Sequence, residues 1–132
     1  MVKQLRVSTK SRTEMVDISP GVQRVVAESG IRSGLCVIYV PHTTAAVTIN
    51  ENSDPNVGRD ILKELNAVVP FDDHYAHSEG NSAAHIKSSI IGVSKTVPVE
   101  DGRLLLGTWQ ALFFCEFDGP RERRVTVKVV GG

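Results

Sequence analysis

The 132-residue chain lacks an excess of charge of either sign: Lys and Arg total 15, Asp and Glu total 15, and the formal net charge is zero. Proteins that coat nucleic acids or bind anionic membranes need excess positive charge, so both classes are disfavoured. Aromatic residues make up only 5% of the chain, which leaves few rings on which bases could stack. We therefore expect neither a nucleic acid nor a membrane as a partner. Zero net charge does little to keep copies apart, which favours a closed oligomer.

Cysteine and long apolar runs are also scarce. Cys36 and Cys115 both lie inside apolar segments, which is typical of buried thiols and not of a disulfide scaffold. No apolar run reaches the roughly 18 residues of a membrane-spanning helix, and residues 1–10 contain no stretch typical of a signal peptide. The sequence therefore predicts a cytoplasmic protein. The content of 41% hydrophobic and 23% charged residues excludes intrinsic disorder.

The length and the hydrophobic patterns predict one compact domain over residues 1–132. Three helices are expected, with Ser19 and Asp54 (or Ser53) as candidate caps for the first two and Gly30 ending the first. Strands are expected in the segments 2–18 (two strands), 35–40, 43–50, 94–99, 103–106, 108–117 and 121–130. Helices inserted between strand pairs, followed by a run of antiparallel strands, predict an α+β fold with a mixed or antiparallel sheet.

Two of these strands carry specific expectations. The strand at 35–40 is apolar at nearly every position, which predicts cover on both of its faces. In the strand at 108–117, Trp109 and Phe117 belong to an apolar face that we assign to the core. Glu116 lies within the same apolar run, and a buried carboxylate must be paired or raise its pKa. It is therefore either the structural partner of an arginine or a functional base.

All four histidines lie between residues 42 and 85. His42 precedes a strand whose face bearing Thr44, Ala46, Thr48 and Asn50 is small and polar, which predicts a cavity there or an ordinary solvent-exposed face. Imidazoles from this strand end, from the polar loop at 71–81 and from His85 on the third helix could bind one divalent ion. Three such ligands suit zinc and leave one coordination position open, with magnesium as the second choice. The spacing matches no compact metal motif, and each histidine alone is better explained as structural or exposed than as a metal ligand.

Other polar residues in these segments are further candidates. Glu51 is not explained by helix capping, and its carboxylate could act as an acid or base or orient a metal-bound histidine. Arg121 follows a Gly-Pro turn and Lys87 lies near His85, so the two cations could capture a phosphate. The alternative for Arg121 is the solvated edge of a strand.

Five segments resemble the YjbQ family, also called UPF0047 or the secondary thiamine-phosphate synthase family. They occur in the family's order, and the resemblance extends over nearly the whole chain. They are Pro41-His42-Thr43-Thr44-Ala45, Asn50-Glu51-Asn52 with Asp54-Pro55, Ala84-His85-Ile86-Lys87-Ser88-Ser89, Gly107-Thr108-Trp109-Gln110 and Glu116-Phe117-Asp118-Gly119-Pro120-Arg121.

The resemblance implies a compact α+β domain that assembles as a homotrimer, with a histidine-lined site near the subunit boundaries. His42, His74 and His85 match the family's histidine positions, whereas His77 does not. The family name implies a weak thiamine-phosphate synthase activity. That reaction joins a hydroxymethylpyrimidine diphosphate to a thiazole phosphate and releases pyrophosphate.

The leading hypothesis is a metal-dependent enzyme that acts on small phosphorylated or heterocyclic substrates. Its expected metal ligands are His42, His74 and His85, and its expected catalytic carboxylates are Glu51 and Glu116. The expected substrate-binding residues are Thr44, Asn50, Lys87, Ser89 and Arg121. A metal-assisted hydrolase and a non-catalytic protein that binds a small molecule or a metal are the alternatives, so the residues leave open whether the site is catalytic.

Overall fold

The computed structural model describes residues 2–132, which form eight strands and three helices. In chain order these are β1 (Val2–Ser8), β2 (Glu14–Asp17), α1 (Ser19–Ser29), β3 (Gly34–Tyr39), β4 (Ala45–Glu51), α2 (Pro55–Val68), α3 (Ser82–Ile91), β5 (Ser94–Glu100), β6 (Arg103–Leu104), β7 (Gln110–Glu116) and β8 (Glu122–Gly131). The expected α+β class with three helices is confirmed. No helix within residues 2–132 is long and apolar enough to cross a membrane.

The strands form two antiparallel sheets. A five-stranded sheet has the order β1-β8-β3-β5-β6, and a three-stranded sheet has the order β2-β7-β4. Alternate residues of each strand point between the sheets, as the two-residue period of a strand requires. Ile38 and Val127 from the larger sheet, Val47 and Phe114 from the smaller one, and Val26 of α1 share this core. Each fully buried side chain of this kind contributes about 1.5–3 kcal/mol.

The outer face of the three-stranded sheet is covered by α2 and α3. Ala46, Cys115 and Phe117 contact Ala84 of α3 there, with Leu62 of α2 packed against them. Small side chains on both elements let α3 lie close to the sheet, and the Ser88 hydroxyl donates a hydrogen bond of 2.7 Å to the carbonyl of Ala45. The prediction of a cavity along this face is therefore wrong at Ala46, where small size serves close packing.

Within residues 2–132, no helix covers the outer face of the five-stranded sheet in this way. Leu35, Tyr39 and Val130 are 48%, 46% and 45% exposed. The strand predicted at 35–40 is present as β3, but the prediction of cover on both faces is wrong for the single chain. At the far end of this strand, Gly34 lies so close to β8 that an added Cβ would meet the Val130 carbonyl oxygen at 1.9 Å.

The helix caps and the burial of single residues agree with expectation at some positions and differ at others. Asp54 caps α2 as expected, since its carboxylate accepts a hydrogen bond of 2.9 Å from the Asn56 amide. Ser19 does not cap α1, because its hydroxyl accepts a hydrogen bond of 2.8 Å from the Leu112 amide. Trp109 is 64% exposed and precedes β7, so its assignment to the core is wrong. Both cysteines are free and buried, as expected.

Candidate functional site

A cavity of about 670 Å³ lies where β3 ends and α3 packs on the sheet. We call it the imidazole cavity, and its lining includes Pro41, His42, Thr43, His85, Ser88 and Ser89. Two of the predicted metal ligands, His42 and His85, thus border one space. Ser89, a predicted substrate-binding residue, also lines it, with its hydroxyl donating to the His85 carbonyl at 2.9 Å.

His42 is tied to the neighbouring sheet by one ring nitrogen. Its Nε2 accepts a hydrogen bond of 3.1 Å from the backbone amide of Arg124 on β8. Burial, with a smaller contribution from the positive charge of Arg123, lowers the pKa of His42 below its usual value of 6.5. The ring is therefore neutral at pH 7.

His85 is paired with His77 and not with His74. The rings of His85 and His77 meet edge to face, with centroids 5.5 Å apart and an interplanar angle of 89°. Nε2 of His77 also lies 3.9 Å from a carboxylate oxygen of Glu79. His74 is exposed, has a positive φ of 55°, and lines neither this cavity nor the cleft described below.

The predicted metal site is not formed within one copy of the chain. Across residues 2–132 no three His, Cys, Asp or Glu side chains lie close enough together to hold one ion. Zinc in proteins takes three or four such ligands. His42 and His85 share a cavity but His74 lies elsewhere, so the residues present do not fit a metal ion in a single protomer.

A second, strongly polar cavity of about 510 Å³ adjoins the first, and we call it the arginine cleft. Its lining includes Arg12, Thr43, Asn81, His85, Asp118 and Arg121. Thr43 and His85 border both spaces, so the imidazole cavity and the arginine cleft lie side by side. The predicted substrate-binding residue Arg121 is held here by Asp118, through hydrogen bonds of 2.9 Å to its carbonyl and 3.1 Å to its carboxylate.

Hydrogen-bonding capacity is left over in the arginine cleft. Asn81 donates through Nδ2 to the Asp118 carboxylate at 3.0 Å. Among the buried side-chain nitrogen and oxygen atoms of residues 2–132, only Oδ1 of Asn81 has no hydrogen-bond partner. Buried polar groups are nearly always paired, so an unpaired acceptor here is consistent with a space that a ligand or solvent fills.

Lys87 lies beneath the loop that follows α2. It is fully buried, its ammonium donates a hydrogen bond of 2.5 Å to the Asn66 side chain, and it lies 3.9 Å from the centre of the Phe71 ring. The Arg12 guanidinium lies 3.6 Å from the same ring centre. Burial, and then the charge of Arg12, lower the pKa of Lys87 to about 8. Phe71 thus anchors the loop between two cations, and Lys87 lines neither cavity, contrary to its predicted contact with substrate.

Glu116 and Arg123 form a buried network that leaves no atom for catalysis. Arg123 binds both carboxylate oxygens of Glu116, while Thr9 donates to Oε1 at 2.7 Å and the Asp118 amide donates to Oε2 at 3.0 Å. Burial alone would raise the pKa of Glu116, but the hydrogen bonds from Arg123, Asp118 and Thr9 outweigh it and hold the pKa below its usual value. The structure thus gives the arginine-partner alternative and not the functional base.

The same network occupies Thr44, which was predicted to bind substrate. Its side-chain oxygen accepts a hydrogen bond of 2.9 Å from Arg123, and the residue is 5% exposed. Thr44 borders the arginine cleft, but its hydroxyl is already engaged by the arginine.

Glu51 and Asn50 lie at the other end of β4 from His42. At about 3.3 Å per residue, the six steps from Ala45 to Glu51 span roughly 20 Å. Glu51 accepts a hydrogen bond of 2.8 Å from the Ser53 hydroxyl, and the Asn50 side chain accepts one of 2.7 Å from the Glu51 amide. Within one protomer the structure brings neither the predicted base Glu51 nor the predicted substrate-binding residue Asn50 to either cavity.

Sequence reasoning missed His77, Arg12, Asn81 and Phe71. His77 and Asn81 belong to the polar segment that ends in α3, and Arg12 lies in the turn between β1 and β2. The one available signal was Phe71, an isolated aromatic residue at the start of a polar loop, which needs a packing partner. Nothing in the spacing pointed to Lys87 and Arg12 as that partner.

Two adjoining cavities that share a histidine, carried by two antiparallel sheets and three helices, define a small α+β protein with a candidate small-molecule site. The chain belongs to the UPF0047 family, since the family model described as UPF0047 protein YjbQ-like matches residues 3–132. The resemblance noted in the sequence is thereby confirmed.

Relatives and solved structures agree with this assignment. The chain is 52% identical over 132 residues to UPF0047 protein YugU of Bacillus subtilis, covering 99% of this chain and 100% of that protein. It is 50% identical over 131 residues to a UPF0047 protein of Methanocaldococcus jannaschii, covering 99% and 95%. A YjbQ/UPF0047-family crystal structure from Clostridium acetobutylicum matches with a TM-score of 0.96 at 48% identity, covering 97% of this chain and 99% of that one. A YbjQ-like protein of unknown function from Sulfolobus solfataricus matches with a TM-score of 0.96 at 36% identity, covering 100% and 97%.

Proposed function

We propose that the chain is a cytoplasmic enzyme that acts on a small phosphorylated, heterocyclic substrate. In this proposal the phosphate group lies in the arginine cleft and the ring lies in the imidazole cavity. The observation that carries it is the shared wall: His85 and Thr43 border both spaces, so one ligand can contact both. The cleft contains two arginines. Arg121 is paired with Asp118, whereas Arg12 has no carboxylate partner among the ion pairs of residues 2–132.

The specific reaction we propose is thiamine-phosphate synthesis, which the family resemblance implies. The ring nitrogen of the thiazole phosphate attacks the methylene carbon of the pyrimidine diphosphate, so that one C–N bond forms. The C–O bond to pyrophosphate breaks, and the electron pair leaves with pyrophosphate. Arg12 and Arg121 stabilise the negative charge that develops on the leaving group, and His85 donates a hydrogen bond to it from the shared wall.

Zinc and magnesium are conditions of the assay, and no step of the proposed reaction is assigned to either ion. A single protomer supplies His42 and His85 in one cavity but no third ligand from the described residues. The expected dependence on a divalent metal is therefore tested by adding each ion, and by adding a chelator.

We also propose that the chain forms a homotrimer, the assembly that the family resemblance implies. The apolar residues on the outer face of the five-stranded sheet support association, since exposed apolar patches mark interaction surfaces. Light scattering should give three times the 14.3 kDa of one chain. Replacing Tyr39 with Glu on this face should shift the molecular mass toward the monomer, and a wild-type monomer would refute the trimer.

The decisive assay combines the purified protein with the pyrimidine diphosphate and the thiazole phosphate, with and without each metal. We expect thiamine phosphate and pyrophosphate in equal amounts, and a rate at least about 100-fold lower for His85→Ala, as for loss of a group that acts on the transition state. Arg6→Ala is the control, because this exposed residue of β1 borders neither cavity.

Absence of product under every metal condition would refute the synthase. Phosphate released from either substrate alone, and abolished in His85→Ala, would instead identify the hydrolase alternative. Tight binding of either substrate without turnover would identify the non-catalytic alternative.

A further inference from the structure

The hydrogen bond that holds His42 has an origin in the sheet register. Tyr39 of β3 pairs with Thr126 of β8, so the register continued by two residues places Pro41 opposite Arg124. The strand β3 ends at Tyr39, and the amide of Arg124 would lose its partner there. Nε2 of His42 accepts that hydrogen bond instead, at 3.1 Å. The ring nitrogen therefore replaces the carbonyl oxygen that a longer β3 would have provided.

This contact fixes where the ring proton lies. A neutral imidazole has one nitrogen that carries hydrogen and one that carries a lone pair, and an imidazolium has no acceptor at all. Because Nε2 of His42 accepts from Arg124, its proton must be on Nδ1. While the bond to β8 is intact, the ring has no free lone pair.

The remaining nitrogen is available to a ligand. Nδ1 of His42 forms no hydrogen bond within residues 2–132. It is not one of the buried side-chain atoms that lack a partner, so it is accessible from outside. His42 lines the imidazole cavity together with His85. A molecule in that cavity can therefore accept a hydrogen bond from the free N–H group of His42.

We propose that His42 is a fixed hydrogen-bond donor, in which Nδ1–H recognises an acceptor atom of the ligand in the imidazole cavity. The inference rests on the proposed function in taking this cavity as the substrate site. A heterocyclic ring nitrogen or a carbonyl oxygen is the chemistry that fits, because either accepts one hydrogen bond. A metal ion does not fit, because coordination requires a lone pair that His42 has committed to Arg124. The same argument excludes His42 as a general base.

The state of the ring can be measured without any substrate. Long-range proton–nitrogen correlation spectra of ¹⁵N-labelled protein at pH 7 should show His42 with its proton on Nδ1, with the signals assigned by their loss in His42→Gln. One equivalent of zinc chloride should leave them unmoved. A proton on Nε2, or a shift of these signals with zinc, would overturn the proposal. Either result is independent of whether the protein makes thiamine phosphate.

Two matched variants separate the nitrogens of His42. The side-chain amide of Asn reaches the position of Nδ1, whereas that of Gln reaches the position of Nε2. His42→Asn should keep the affinity for hydroxymethylpyrimidine diphosphate within about threefold, while His42→Gln should weaken it about tenfold, the effect of one hydrogen bond. The stabilities should show the opposite order, because only Gln can accept from the Arg124 amide.

Calorimetry and thermal unfolding give these two readouts. Equal loss of affinity in both variants, or full affinity in His42→Gln, would refute recognition by Nδ1–H. If wild-type protein does not bind the diphosphate, recognition of this substrate fails together with the proposed function. The spectra still decide whether His42 is a donor.

Discussion

Consecutive residues of β8 hold two polar groups in different ways. Arg123 points inward and binds Glu116 in a network where every carboxylate oxygen is engaged, whereas the amide of Arg124 holds His42 and leaves one ring nitrogen free. Both groups lie near the same end of the sheet. A buried polar group thus has a structural role when all of its hydrogen-bonding capacity is used within the chain. It marks a candidate site when capacity is left over beside a cavity.

The largest effect is expected when the buried Glu116–Arg123 pair loses one of its charges. Glu116→Gln should lower the free energy of unfolding by about 3–5 kcal/mol, because it leaves the buried charge of Arg123 without its partner. Urea denaturation at a fixed protein concentration measures the change. Arg6→Gln is the control, since the Arg6–Glu122 pair is exposed and its loss should not exceed the error of the measurement. Similar losses in both variants would contradict a special role for the buried pair.

Lys87 is an intermediate case, because its buried ammonium is held by an amide and an aromatic ring instead of a carboxylate. Its pKa is lowered from 10.5 to about 8, so between these values the unfolded chain binds more protons than the folded one. The free energy of unfolding should therefore rise with pH across this window, by at most about 1.4 kcal/mol per pH unit. Lys87→Met should remove this rise in urea denaturation at pH 7 to 10. An unchanged slope in the variant would contradict the burial of a charged Lys87.

The smallest expected effect concerns His42. Since the fold lowers its pKa below 6.5, the unfolded chain takes up a proton first as the pH falls. Stability should therefore decrease between pH 6.5 and about 5, above the range in which carboxylates such as Glu116 titrate. His42→Gln should flatten this part of the profile. An unchanged profile in His42→Gln would contradict a lowered pKa at His42.

Much of the fold follows from local patterns. The three helices, the cap at Asp54 and the end of α1 at Gly30 follow from apolar periodicity and terminal chemistry. The exposure of Leu35 could not be predicted, because an apolar strand looks the same whether its cover comes from its own chain or from another. Trp109 was misplaced because alternation was extended through the turn that precedes β7.

The candidate site was predictable where strands and helices position it. His42 at the end of β3 and His85 on α3 border one cavity, and both belong to segments with clear patterns. The sequence could not show that His77, and not His74, lies beside His85. The path of this loop depends on Phe71, which is held between Lys87 and Arg12. Contacts of that kind join residues far apart in the chain and leave no periodic signature.

The close approach of β3 and β8 at Gly34 affects the candidate site, although Gly34 does not border it. A methyl group there would meet the Val130 carbonyl at 1.9 Å, so the pairing of β3 with β8 admits only hydrogen at this position. The same pairing sets the register that brings the Arg124 amide to His42. In a saturation library selected for function, position 34 should thus be as intolerant as the cavity lining, although it lies at the opposite end of the strand.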